Sequence, residues 1–222
     1  MKEGPMDAQW EIIAREGFQF FGRMSASISH EIKNALAIIN ENAGLLEDFM
    51  LLAEKGRPID PERLKSLAGQ VMKQVKRADE LVKRMNRFAH SADEPSKNID
   101  LGETLELITS IAQRLASLRE AQVELIRPEQ PVTQITNSFL LENLIWLCLD
   151  FILNAGHKAV RLLPEATEDG SRIRLAVPEA WPGSSSEAFP SVREKAIMEA
   201  LQLDLRMDPE AGEIILSFRK DH

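Results

Sequence analysis

The residue types with the widest chemical reach in this chain lie in one short run, Ser29-His30-Glu31-Ile32-Lys33-Asn34. An imidazole serves as nucleophile, proton carrier or metal ligand, and the direction it points decides which roles are open. Met24, Ile28, Ile32, Ala35, Ile39, Ala43, Leu46 and Met50 recur at spacings of three and four, the helical period. At about 100° per residue, His30 stands about 200° from both Ile28 and Ile32 and so points away from that stripe. Ser27, Asn34, Ala37 and Glu41 are predicted to share its outward face. A lone outward histidine is most often only solvated, whereas one on a rigid helix among polar neighbours is open to chemistry. Zinc is not expected here. His-Glu-x-x-His needs a second histidine one turn on, and Asn34 stands in its place. His90, His157 and His222 are scattered without ligand spacing, so no metal site is expected at all.

The helix that carries His30 is predicted to be long. No proline interrupts Gln9 to Glu54, and glycine occurs there only at positions 17, 22 and 44. Gly56 suits a helix C-terminus, and Pro58 cannot continue one. Asp60-Pro61 then restarts a helix, with Asp60 as N-cap and Pro61 at the first helical position. Leu64, Leu67, Val71, Val75, Ala78, Val82, Met85 and Phe88 form its apolar stripe. So short a connection makes the two helices antiparallel neighbours. Two long helices with narrow stripes leave apolar seams uncovered. Dimerisation into a four-helix bundle is the expected remedy, and folding back of the C-terminal region is the alternative. Trp10, Phe18, Phe20 and Phe21 are expected to pack at the top of the bundle.

The 222 residues suffice for one large domain or two small ones. Charge separates two. Residues 1–92 carry 14 basic and 13 acidic side chains, whereas 93–222 carry 13 and 22. The polar, proline-containing stretch Ser91 to Asn98 lies at the boundary. The expected division is a hairpin at 1–92, a linker at 93–100 and a second domain at 101–222. An overall charge of −8 disfavours nucleic acid or an anionic membrane as a partner held by bulk charge. One cysteine, Cys148, permits no intrachain disulfide, and no apolar run is long enough to span a bilayer. The first residues lack the basic-then-apolar order of a signal peptide. A cytoplasmic location is expected, with no sensor domain ahead of the hairpin because Met1 to Gly22 is too short for one.

Beyond the linker, Leu101 to Arg119 reads as a helix, and 123–126 and 133–136 read as strands. Asn137 or Ser138 caps a central helix predicted to run from Phe139 to about Leu163. Arg172 to Val177 alternates as a strand. Ser191 to Leu203 reads as a helix, and 203–207 and 213–218 as strands joined through Pro209-Glu210-Ala211-Gly212. Helices with a mixed sheet make an α+β sandwich.

The run around His30 resembles the H-box of bacterial two-component histidine kinases, whose dimerisation and phosphoacceptor domain is a helical hairpin. The wider string FGRMSASISHEIKNALAIINENAGLLEDF is similar to that family's first helix. The resemblance implies that His30 is the phosphoacceptor and that Glu31 accepts a hydrogen bond from the other ring nitrogen. It also implies that Asn34 orients the phosphoryl group or an attacking water, with Lys33 and Arg23 as nearby positive charge. Ala35 stands where the family usually has proline, so less helix bending is expected.

The second domain resembles the family's ATP-binding domain in degenerate form. Leu149 to Ala159 sits at the N-box. Asn154 keeps the usual Mg²⁺-binding position, here expected to be vestigial, and Asp150 replaces the earlier asparagine. In Val177-Pro178-Glu179-Ala180-Trp181-Pro182-Gly183, Glu179 stands for the adenine-reading aspartate and Trp181 for a glycine. No glycine lies between Gly183 and Gly212 to form the second phosphate loop, where Ser184-Ser185-Ser186 and Ser191 to Lys195 stand instead. ATP binding is therefore expected to be lost or severely weakened, leaving no cofactor of its own. The resemblance points to a phosphorelay histidine phosphotransferase, a homodimer exchanging phosphoryl groups between His30 and the aspartates of response-regulator receiver domains. Those receivers would supply the Mg²⁺. Two alternatives stay open: an autokinase with a divergent ATP site, and a non-enzymatic adaptor or inhibitor of a kinase or receiver.

Overall fold

The computed structural model describes residues 5–179, 181 and 189–219. Gly183, Ser184-Ser185-Ser186, His222 and the first four residues, singled out above, lie outside the described residues. The chain divides into two compact units. One is Ser25–Arg87, and the other joins the residues up to Met24 to those from Phe88 onward.

The first unit is a helical hairpin cut from α1 (Pro5–Glu54) and α2 (Pro61–Ala89). α1 ends where Gly56 takes a φ of +76°, with the Arg57 amide reaching back to the Leu52 carbonyl at 3.1 Å. The Asp60 carboxylate accepts from the Glu62 amide at 3.0 Å, which starts α2 as expected. The buried seam of α2 steps through Leu67, Val71, Gln74, Ala78, Leu81 and Met85. Val75 and Val82, assigned above to that seam, are instead exposed. α1 behaves likewise. Its single predicted stripe resolves into two faces, because residues three and four apart drift slowly around a helix of 3.6 residues per turn. Ser27, Ile28, Glu31, Ala35, Ile38 and Asn42 are buried or half-buried, whereas Leu36, Ala43, Leu46 and Met50 are exposed. Ser27 thus does not share the outward face of His30. It falls on the Glu31–Ala35 side, one turn earlier.

The second unit is an α+β sandwich. β1 (Lys97–Asp100) pairs antiparallel with β3 (Thr133–Thr136), so much of the stretch read as a linker is strand. The main sheet has the order β2-β4-β5-β7-β6, from β2 (Gln122–Leu125), β4 (Ala159–Thr167), β5 (Gly170–Ala176), β6 (Leu203–Asp208) and β7 (Glu213–Arg219). Only β2 and β4 are parallel. Leu162, Leu175 and Ile214 stand opposite one another in register, as do Ile173 and Leu216, and all five are fully buried. α3 (Leu101–Leu118), α4 (Ser138–Asn154) and α5 (Val192–Leu201) complete the layer. The other sheet face carries Arg172, Arg174, Glu165 and Glu213 in cross-strand ion pairs. Burial alone would raise the Glu165 carboxyl, but hydrogen bonds from Arg172 and Arg174 outweigh it and hold the group below its ordinary value.

The central helix is shorter than predicted. α4 stops at Asn154, Gly156 takes a φ of +94°, and residues 159–163 belong to β4. Val160, Leu162 and Leu163 carry the apolar character of α4 onward, and the turn at Gly156 separates the helix from the strand. Among the aromatics of α1, Phe20 is buried against Phe88 and Phe139, with ring centres 5.3 and 5.6 Å away. Phe21 stacks on Phe88, whereas Trp10 and Phe18 stay exposed. No helix among the described residues is long and apolar enough to cross a membrane.

Cys148 lies within α4, fully buried, and burial raises its thiol far above the ordinary value, with Glu194 adding to the effect. A thiol-specific disulfide reagent is therefore expected to leave the native protein unmodified and to titrate one thiol in denaturant. Release of one equivalent from native protein would contradict this placement.

Candidate functional site

In the hairpin unit His30 is exposed, as its spacing predicts. Its Nδ1 lies 3.3 Å from Nδ2 of Asn34, one turn further along α1. Nε2 has no partner among the described residues. Asn34 is thereby placed on the imidazole, as the i, i+4 spacing suggests. Glu31 is not. One residue on from His30 means about 100° around the helix, which turns Glu31 toward α2. There its carboxylate accepts from the Arg77 guanidinium at 3.4 Å, with 17% of the side chain exposed. The expectation that Glu31 hydrogen-bonds the second ring nitrogen is thus not met. Arg77 was missed because nothing in the spacing of α2 marks which cation faces which residue of α1. Lys33 and Arg23 are exposed.

The arrangement of His30 and Asn34 favours chemistry at Nε2. An amide oxygen and nitrogen exchange places by rotation about Cβ–Cγ, so Asn34 can offer either a donor or an acceptor to Nδ1. With its oxygen facing the ring, Asn34 accepts from Nδ1–H, and the Nε2 lone pair is turned outward as a nucleophile.

In the sheet unit, the two positions at the N-box are joined to each other. Asn154 Nδ2 donates to one oxygen of Asp150 at 3.3 Å. The other oxygen accepts from the Arg119 guanidinium at 2.9 Å. Lys158 donates to the Arg119 carbonyl at 2.6 Å, fixing the same corner. The charge that faces Asp150 is therefore a guanidinium belonging to the chain itself. Sequence reasoning did not find Arg119, which is 31 residues from Asp150 and just beyond the end of α3.

Trp181 is buried, and its indole stacks on Phe151 at 5.4 Å and meets the edge of His157 at 4.9 Å. Phe189 stacks on Phe151, with ring centres 4.1 Å apart. Val177 and Glu179 are braced from below by Gly212. The Val177 amide donates to the Gly212 carbonyl, and a Cβ on Gly212 would lie 2.9 Å from the Glu179 oxygen. Three aromatic rings and an imidazole thus fill the neighbourhood of the residue that replaces a glycine. His90, far from this cluster in sequence, pairs with Asp93 at 2.7 Å.

Residues 22–94 match the family model of the His Kinase A (phospho-acceptor) domain. The C4-dicarboxylate transport sensor protein DctB of Pseudomonas aeruginosa is 28% identical over 201 residues, 85% of this chain and 30% of that protein. The chain therefore spans less than a third of that relative's length. Among solved structures, the Acinetobacter baumannii histidine kinase AdeS aligns at 14% identity over 84% of this chain and 94% of its own, with a TM-score of 0.45. The ATP-binding domain of PrrB from Mycobacterium tuberculosis aligns at 15% over 55% and 95%, with a TM-score of 0.43. A bacterial phosphotransferase aligns at 13% over 97% of each chain, with a TM-score of 0.42.

The Arg119–Asp150 pair is only partly exposed, so truncating one partner strands the other. Arg119→Ala is expected to lower unfolding stability by about 1–2 kcal/mol in urea titration, and adding Asp150→Ala to recover part of that loss. An Arg119→Ala protein as stable as the native one would show the pair to be idle.

Proposed function

We propose that this chain, a member of the two-component histidine kinase family, is a histidine phosphotransferase that carries a phosphoryl group on His30. The observation that carries the reading is the Arg119 guanidinium seated on Asp150 beside Asn154. A divalent cation at that corner would have to displace a tethered cation from its carboxylate. The buried Trp181 stack presents the same difficulty to a nucleotide, because an indole and two phenyl rings stand where the family admits ligand close to backbone. The residues present do not fit MgATP. Asn154 is vestigial in this reading.

The chemistry then asks little of this chain. A receiver domain brings the aspartyl phosphate, its Mg²⁺ and its acidic pocket. His30 offers an exposed ring on a rigid helix, with Asn34 fixing the rotation of the ring about its bonds to the backbone. In transfer, the Nε2 lone pair forms the N–P bond as the P–O bond to the receiver aspartate breaks, and the electrons leave with the carboxylate. Passing the group to a second receiver reverses these events. The reading places the protein in the cytoplasm, in keeping with its single buried thiol.

The hairpin supports this role as a homodimer. Leu36 and Met50 on α1 and Met72, Val75 and Val82 on α2 are all more than two-fifths exposed, and they recur at helical spacing. A second hairpin covers such seams by completing a four-helix bundle. Sedimentation equilibrium is expected to give a dimer, and Leu36→Glu combined with Val75→Glu to give a monomer. A monomeric native protein would refute the bundle.

The functional test uses a phosphorylated receiver. Label is expected to move onto the native protein as acid-labile phosphate, and none onto His30→Ala, while MgATP alone labels neither. Acid-labile phosphate acquired from MgATP would identify an autokinase instead. A receiver bound and regulated equally by native protein and His30→Ala would identify a non-enzymatic adaptor.

A further inference from the structure

Glu31 is adjacent to His30 in sequence and yet makes its ion pair across the hairpin. Two distances describe the arrangement: 3.4 Å from Arg77 to the Glu31 carboxylate, and 3.3 Å from Asn34 to Nδ1 of His30. The first occupies the carboxylate that follows the histidine in the chain. The second gives the inner edge of the ring to a neutral amide. We propose that Arg77 is a positioning residue for phosphoryl transfer, pairing with Glu31 and thereby leaving Nδ1 of His30 to Asn34. The proposal rests on the reading of His30 as phosphoacceptor and explains how that histidine is set for two-way exchange.

The chemical consequence follows from the ring's charge. When Nε2 takes the phosphoryl group, Nδ1 keeps its proton and the ring becomes cationic, its N–H donating to the Asn34 oxygen. A carboxylate at Nδ1 would stabilise that cation strongly and also assist nucleophilic attack as a general base. A neutral amide orients the ring but stabilises the cation less, so the phosphoryl group leaves again more readily: the N–P bond breaks, its electrons return to Nε2, and the ring becomes neutral. With Arg77 removed, Glu31 loses its partner and is free to turn toward the ring by a change of side-chain rotamer.

The test is a cycle of variants labelled by phosphoramidate, a small donor whose P–N bond breaks with loss of ammonia and which needs no receiver. Formation of phosphohistidine at His30 is followed by phosphorus NMR. Arg77→Ala is expected to label about tenfold faster than native protein, as a freed general base implies. Glu31→Gln alone should stay within about twofold of native, and the double variant should return to that level. Arg77→Lys keeps the ion pair and should match native protein. Imidazole nitrogen resonances should report a carboxylate at Nδ1 in Arg77→Ala only, a signature that loss of hairpin stability would not produce. Labelling of Arg77→Ala at or below the native rate would overturn the proposal. So would tenfold slowing by Glu31→Gln alone, a result that stands even if Arg77→Ala fails to fold. Because no receiver takes part, a chain that proves not to relay phosphate would still show the cycle. Conversely, a failed cycle leaves the receiver assay intact.

Discussion

The angular step of the α-helix organises the region around His30. Neighbouring residues diverge by about 100°, so His30 and Glu31 cannot both face solvent or both face α2. Placing Ala35 and Ile28 against α2 turns Glu31 inward with them and His30 outward. Asn34, one turn on, falls on the histidine side of that division and meets the ring. The inward carboxylate, with 17% of its side chain exposed, is met there by Arg77. One periodicity thus sets which group is presented, which group orients it and which is withdrawn.

Local signals were legible in the sequence wherever a single residue's covalent geometry decides the outcome. Asp60-Pro61 starts α2, Gly56 ends α1, and Asn137 caps α4. The exposure of His30 belongs to the same class, since it follows from phase alone. What was not legible depends on distance in space. A stripe of apolar residues does not state which of two partners covers each residue, and so Ser27, Val75 and Val82 were misplaced. The strand after α4 was read as more helix, because Val160, Leu162 and Leu163 carry the apolar character of α4 past the turn at Gly156. Arg77 and Arg119 lie 46 and 31 residues from the carboxylates they meet, and no spacing rule reaches that far.

The two units handle their charges in parallel ways. In the hairpin a guanidinium from the second helix holds a carboxylate that the family motif would place at work on a histidine. In the sheet unit a guanidinium from the end of α3 holds the Asp150 carboxylate, one turn before Asn154. Arginine suits both tasks: it stays charged throughout the physiological range and offers several donors in a fixed fork. In each case the acidic residue is retained and its availability is changed by a partner elsewhere in the chain. A motif read without its surroundings would put Glu31 to work on the ring and would not register what holds Asp150.

The closed corner of the sheet unit also has a consequence for mutational history. Losing Arg119 alone strands the Asp150 carboxylate, and losing Trp181 alone leaves a hole between Phe151 and His157. Each loss by itself lowers stability. Any mutational route that clears this corner therefore passes through proteins less stable than the native one. Once assembled, such a cluster holds its own sequence in place: its members are replaced together more easily than one at a time.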